Sequence, residues 1–375
     1  MQNQLHRGIY GLGCLAVLGC NRHEEKSHEI TNRPPSAVST GFPVSSGAAR
    51  HEYGGQLEGF LDSVGRLATR PLADEAAFVA DSVFYSQRQL NKLITPLDFG
   101  ILKRAAKKGV MSVKAARRIF GNNSISYDCN TESIFRTQKK GLIPVEYFPF
   151  GGNGFDEYAL CIGASGHCSG AWLYFFKQNR IIARHKGYNH YGLALNHYPD
   201  AQGKTVVYYT REFTSGSGIW WNNYFFYQYD NDALIPILNE LQNGNLQYSW
   251  GNRIYWLESF VEKTNPLTLK MVYYAQLPDT AKPDFGPRII DDSTLVEYTW
   301  NKKLKKLEGQ YSQSKITRPQ LLSYYVQPND LLFINSYYRT IAHALHDTTT
   351  RQSTLNYLSK VRDDCHRRQL TKATK

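Results

Sequence analysis

Long apolar runs are missing from this 375-residue chain: the stretch at residues 8–19 is apolar throughout yet falls short of the ~20 residues a helix needs to cross a bilayer. No C-x-x-C pair is present, which removes the usual spacing of a structural zinc site. H-E-x-x-H, Walker A and G-x-S-x-G patterns are absent too, and with them the sequence signs of a zincin, a P-loop and a nucleophile elbow. The glycine-rich stretch Thr214–Gly218 leads into a predicted strand, whereas a dinucleotide fingerprint opens a helix. Acidic residues are in deficit, 32 against 44 Lys and Arg, for a net charge of +12. The basic residues are dispersed (Lys107–Lys108, Arg117–Arg118, Lys139–Lys140, Lys302 to Lys306, Arg367–Arg368) and no nucleic-acid motif accompanies them. They read as solvated surface, with a membrane-facing or glycan-facing patch as the alternative and no nucleic-acid partner.

Aromatic residues, by contrast, are plentiful at 13%, with 26 tyrosines. Such side chains fit the pleated, half-buried surface of a sheet. The length allows one large domain or two ordinary ones with a sizeable core.

Residues 1–7 are polar and carry Arg7; residues 8–19, GIYGLGCLAVLG, have the length of a signal-peptide h-region. The segment ends Val17-Leu18-Gly19-Cys20. This resembles the lipobox of bacterial lipoproteins: an aliphatic residue, a tolerant position, a small residue, then cysteine. The resemblance covers about twenty residues and implies removal of 1–19, lipid on Cys20, and attachment to an envelope membrane, the outer membrane being expected. Each buried methylene of such chains contributes about 0.8 kcal/mol, so two or three chains hold firmly. Residues 20–54 hold Cys20 and a stretch rich in Ser, Gly, Pro and charge, which reads as a flexible tether.

Residues 55–121 carry a helical pattern. Thr95-Pro96 offers a cap and an N1 proline, Gly109 a stop, Ser112 a second cap and Gly121 a second stop. From 122 to 315, short aromatic and β-branched runs alternate with polar turns. Three units repeat weakly: Trp172–Phe176 returning at Arg180–Ala183, Tyr224–Tyr229 returning at Ala233–Ile237, and Leu295–Trp300 returning near Leu304. Each follows an upstream strand, at Tyr158–Ile162, Thr205–Tyr209 and Leu269–Tyr274. Residues 316–375 turn helical again. The expected class is α+β: an antiparallel β body of hairpin or meander units, like an irregular or partial propeller, with a helical N-terminal section and C-terminal helices packed on it.

Without the signal and the lipidated residue, Cys129, Cys161, Cys168 and Cys365 remain. An even number in an exported chain suggests disulfides, with Cys161–Cys168 across a hairpin and Cys129–Cys365 tying the body to the last helix. Histidines gather at His167, His185, His190 and His197, and again at His343 and His346. These read as surface or hydrogen-bonded structure, so no metal or other cofactor is expected. Asp230-Asn231-Asp232 lacks the Gly and Glu of a calcium loop and reads as a hairpin turn. Asp156-Glu157 and Asp291-Asp292 are the carboxylate pairs that could flank a glycosidic bond. The remaining candidate is Trp220, Trp221, Asn222, Asn223 and Tyr224, where indole faces and amide donors suit sugar rings or a partner protein. If the segment is a strand, one tryptophan faces the core and the other is exposed. The expected function is a membrane-anchored, non-enzymatic binding module for a glycan, a peptidoglycan fragment or an envelope protein. The alternatives are an envelope glycan hydrolase and an inhibitor or immunity protein.

Overall fold

The computed structural model describes residues 47–121, 141–163, 171–187, 193–214, 220–247, 251–279, 286–326 and 330–373. The signal segment, Cys20, most of the tether, Cys129 and Cys168 lie outside the described residues.

Helix α1 (Gly47–Gly65) starts within the expected tether and is followed by α2 (Thr69–Tyr85). Helix α3 (Pro96–Lys108) begins as its sequence dictates: Thr95 Oγ1 accepts from the Asp98 amide at 3.1 Å, and Pro96 occupies the first turn, where no donor is needed. It ends at Gly109, whose φ of 69° lies in the left-handed region. Ser112 caps α4 (Val113–Phe120) in the same way through Ala115 N. The section is not purely helical, however. It contributes β1 (Arg88–Leu93) and β2 (Val110–Ser112) as the two edges of a sheet. Strand β1 is nearly all exposed and polar, so it carries no alternation to read; its backbone pairing with a neighbour makes it a strand.

The first sheet adds β3 (Leu142–Pro149), β4 (Glu157–Ile162), β5 (Ala171–Lys177) and β6 (Arg180–Gly187), in the antiparallel order β1-β6-β5-β4-β3-β2. Both faces of its centre are covered. Tyr158, Leu160 and Ile162 face α3 and α4, packing with Leu102, Ile119 and Phe120. Ala159 and Cys161 face the other way, toward the second sheet. A strand covered on both sides reads as the continuous apolar run found here.

The second sheet is an unbroken meander of β7 (Leu195–Pro199), β8 (Thr205–Thr214), β9 (Trp220–Asp230), β10 (Ala233–Leu246), β11 (Ile254–Thr264), β12 (Leu267–Gln276), β13 (Arg288–Asn301) and β14 (Lys306–Gly309). It curls enough for β14 to touch β10, although three strands separate them along the ladder, but it does not close. The class is α+β with a mainly antiparallel body. The three repeated hairpins are present as β5–β6, β9–β10 and β13–β14, with β4, β8 and β12 upstream. They fuse edge to edge into two meanders instead of standing apart as blades.

The C-terminal elements are α5 (Arg318–Leu322), α6 (Asp330–Ser336), α7 (Tyr338–His346) and α8 (Arg351–Ala373). They pack with α1 and α2 over the second sheet, so the two ends of the described chain meet. Asn335 donates to Val64 O at 2.9 Å and Leu67 O at 3.0 Å, fastening α6 to the α1–α2 turn. Glu240 on β10, fully buried, accepts from Tyr311 Oη at 2.6 Å, Tyr298 Oη at 3.1 Å and Arg318 Nη1 at 3.1 Å. A buried carboxylate is tolerable only when paired this way, and the pairing seats α5 on the sheet.

The sheets meet through side chains as well. Gln89 uses its amide as a strand would, donating to Leu234 O at 2.5 Å and accepting from Leu234 N at 3.3 Å. His185 of β6 is fully buried, with its ring 4.3 Å from Tyr227 and its Nδ1 3.1 Å from Tyr209 Oη. Burial pushes its pKa down to about 3. Above pH 6.5 the ring is neutral in both the folded and unfolded states and adds no pH dependence. Below 6.5 the unfolded chain takes a proton that the native ring refuses, so stability falls by about 1.4 kcal/mol per pH unit until the folded value is reached. Between pH 6.5 and 5 the expected loss is about 2 kcal/mol. Urea midpoints for wild type and His185→Phe across pH 7 to 4 check this: the variant should lose that part of the slope, and identical slopes would refute it.

Candidate functional site

On a strand, successive side chains point to opposite faces. The run Trp220-Trp221-Asn222-Asn223-Tyr224 opens β9, so its five expected site residues divide between two environments. Trp221 and Asn223 turn inward. Trp221 is 7% exposed, stacked on Phe213 with centroids 5.0 Å apart. Asn223 is fully buried and donates to Asn239 Oδ1 and Tyr325 Oη, both at 2.7 Å. Neither reaches a ligand, and both leave the candidate set. Trp220, Asn222 and Tyr224 are half-buried on the opposite face. The Tyr224 hydroxyl donates to Ser259 O at 3.1 Å, and burial pushes its pKa up to about 12.

The ladder carries the outward face across the sheet. Trp220 lies opposite Asn245, Asn245 opposite Trp256, Trp256 opposite Tyr274, and Tyr274 opposite Asp291. Directly opposed residues share a face. Trp220, Asn245, Trp256 and Tyr274 are all half-buried, giving one aromatic and amide row across four strands. With strands about 4.8 Å apart, the two indoles are roughly 10 Å from each other. The inward partner row runs Trp221, Gly244, Leu257, Tyr273. Gly244 is required there: a Cβ would sit 2.1 Å from Tyr324 O. The close approach of the chain after α5 thus braces the row from behind.

Trp256 and Tyr274 have ring centroids 5.9 Å apart, inclined by 30°. The Arg288 guanidinium lies 4.4 Å over Tyr274 and pairs with Asp291 at 2.8 Å. Gln247 Nε2 donates to the Tyr274 hydroxyl at 3.0 Å. One row on, Asn222, Asn243, Glu258, Val272 and Ser293 share the same face. Beyond them Phe260, Lys270 and Leu295 form a third row, with Phe260 43% and Leu295 54% exposed. From Trp256 to Phe260 is four residues of strand, about 13 Å. The face therefore offers aromatic and apolar platforms at two levels, separated by a polar band that includes Asn222, Asn243 and Glu258. It presents flat apolar surfaces, amides and a few charges.

Sequence reasoning singled out Trp220 but did not bring Trp256, Tyr274, Asn245 and Arg288 to the same face. The signal was present in β11, where Tyr255, Leu257 and Ser259 are buried and Trp256, Glu258 and Phe260 alternate with them. An outward tryptophan in an otherwise well-formed alternation is the readable sign.

The other candidates fall elsewhere. Cys161 and Cys365 are buried, and their expected disulfide partners, Cys168 and Cys129, lie outside the described residues. Cys161 shares the face of Ala159 toward the inter-sheet core, and burial pushes its thiol up to about 12. His197 is exposed beside Phe150, His343 and His346 are exposed in the last turn of α7, and His167 and His190 lie outside the described residues. Among the described residues no three His, Cys, Asp or Glu side chains converge as metal ligands would. Asp230-Asn231-Asp232 is the β9–β10 turn, with Asn231 at φ 54° and Asp230 paired to Lys204 at 2.7 Å. Asp292 pairs with Lys315 at 2.8 Å, a hydrogen bond that holds its carboxyl below the usual range, while Asp291 is held by Arg288. No family model, no curated protein and no solved structure matches this chain.

Proposed function

We propose that the chain is an envelope lipoprotein, anchored through lipid on Cys20, whose second sheet binds a glycan strand on its outward face without catalysis. The observation that carries the reading is the row Trp220, Asn245, Trp256 and Tyr274. Sugar rings present apolar C–H faces that lie on indole and phenol rings, and their hydroxyl and acetamido groups take hydrogen bonds from amides such as Asn245 and Asn222. The exposed Lys270 offers a cation to a glycan that carries carboxylates, whereas Arg288 is already paired with Asp291. Peptidoglycan strands, which alternate two N-acetylated sugars and bear a lactyl acid on one of them, have that chemistry and lie within reach of an anchored envelope protein.

The test uses soluble peptidoglycan glycan strands and titration calorimetry on the full chain. Trp256→Ala is expected to weaken binding by about 2 kcal/mol, roughly 30-fold, with little change in melting temperature. Affinity unchanged in a folded Trp256→Ala protein would remove the row from the site. The anchor has its own variant: Cys20→Ala should incorporate no palmitate and leave the membrane fraction while binding glycan as the wild type does. Continued palmitate labelling of that variant would refute lipid attachment at Cys20.

A further inference from the structure

At the turn end of the curled second sheet there is a cavity of about 270 Å³, far from the aromatic row. It exists because the meander curls without closing. Tyr198 and Val206 come from the β7–β8 edge, Trp300 and Leu307 from the β13–β14 edge, and Leu267 and Ile237 from strands between them. The opposite margins of one sheet thus wall a single space, and the gap between them is its mouth. The floor is closed: Val206, Ile237, Leu267 and Tyr298 are each at most 3% exposed.

Several polar groups of the wall are already hydrogen-bonded within the protein. The Tyr298 hydroxyl donates to Glu240 at 3.1 Å. Asp200 accepts from the amides of Gln202 and Lys204, both at 2.8 Å, and from the Gln228 side chain. What faces the interior is therefore mainly hydrocarbon and aromatic surface. A cavity lined this way repels water and takes apolar guests; one of about 150 Å³ holds a benzene ring, so this one has room for ~10 carbon atoms. The mouth sets the head group. Its rim carries the uncharged Thr264 and Asn265, and the single charged residue of the lining is the carboxylate of Asp200. An anionic head would meet that carboxylate with no lining cation to offset it.

We propose that this cavity is a second binding site, for a single medium-length acyl chain carrying an uncharged, hydrogen-bonding head, such as a monoacylglycerol. The chain enters between Trp300 and Tyr198 toward Ile237 and Leu267, and the head stays at Thr264 and Asn265. The proposal stands apart from the glycan reading, because its residues share nothing with the outward row.

The probe is 1-monodecanoylglycerol below its micellar concentration, titrated into the full chain and followed by calorimetry. Saturable one-to-one binding is expected. Ile237→Trp, which fills the floor, and Leu307→Trp, which narrows the half-buried mouth, should each weaken it at least tenfold. Glycan affinity and the melting transition of Leu307→Trp should be unchanged, which separates a filled site from a damaged fold. Decanoate should bind at least tenfold more weakly than the glycerol ester. Absence of saturable binding by the folded wild type overturns the site, as does full affinity in a folded Leu307→Trp protein. Decanoate binding as tightly as the ester overturns the assignment of an uncharged head.

Discussion

Replacing Arg253 with alanine is expected to destabilise the fold by about 3–4 kcal/mol, within the range seen when one partner of a buried ion pair is removed. Arg253 precedes β11 and is 1% exposed. Its Nε lies 3.1 Å from Asp330 Oδ1 and its Nη2 donates to Ser323 O at 2.7 Å. The guanidinium plane is held between Tyr255 and Phe333, 4.1 Å from each ring. One side chain thus joins the sheet, the end of α5 and the start of α6, and through Asp330 also Tyr357 of α8 at 3.0 Å. Alanine removes the cation, the packing between two rings and the donor to Ser323 together. Arg253→Met keeps an unbranched chain between the rings and should lose clearly less, since an apolar replacement of similar volume avoids a void. Urea unfolding of both variants measures the difference. A loss below about 1 kcal/mol for the alanine variant would show that the helices hold to the sheet without this contact.

That junction was not legible in the sequence, and the reason is physical. Arg253, Asp330 and Tyr357 are separated by 77 and 27 positions, and nothing local distinguishes a buried arginine from a solvated one. Local signals did better. Thr95, Gly109 and Ser112 cap and stop helices through contacts that span three or four residues, so sequence alone places them. The hairpins were readable for the same reason, with Gln178 and Asn231 in left-handed turns between aromatic strands. What joins them was not readable. Strand β1 is an exposed polar segment whose partner strand lies far along the chain, and the assembly of hairpins into two meanders depends on pairings that leave no trace in composition. The outward face of the second sheet lies between these cases. Trp220 was visible, but its companions enter through register: Asn245, Trp256 and Tyr274 come onto its face only because four strands align.

The adjacent tryptophans of β9 give the sharpest contrast in the molecule. Trp221→Ala should cost about 3–5 kcal/mol, as truncation of a large buried aromatic does. Its ring stacks on Phe213 at 11° and meets Tyr325 edge-on at 6.3 Å, so its loss opens a void between the sheet and the chain that follows α5. The loss is moderated by one feature: the indole Nε1 is buried without a hydrogen-bond partner among the described residues. Trp221→Phe removes that unpaired donor while keeping most of the ring, and should therefore retain much of the stability that alanine loses. Trp220→Ala leaves the inner row intact and should change stability by less than about 1 kcal/mol. In the glycan titration the order reverses. Trp220→Ala should weaken binding by about 2 kcal/mol, whereas Trp221→Phe should leave it unchanged. Thermal or urea melts paired with calorimetry on the three variants decide the matter. If Trp220→Ala unfolds as readily as Trp221→Ala and binds glycan as tightly as wild type, Trp220 belongs to the core and the outward row loses its first member.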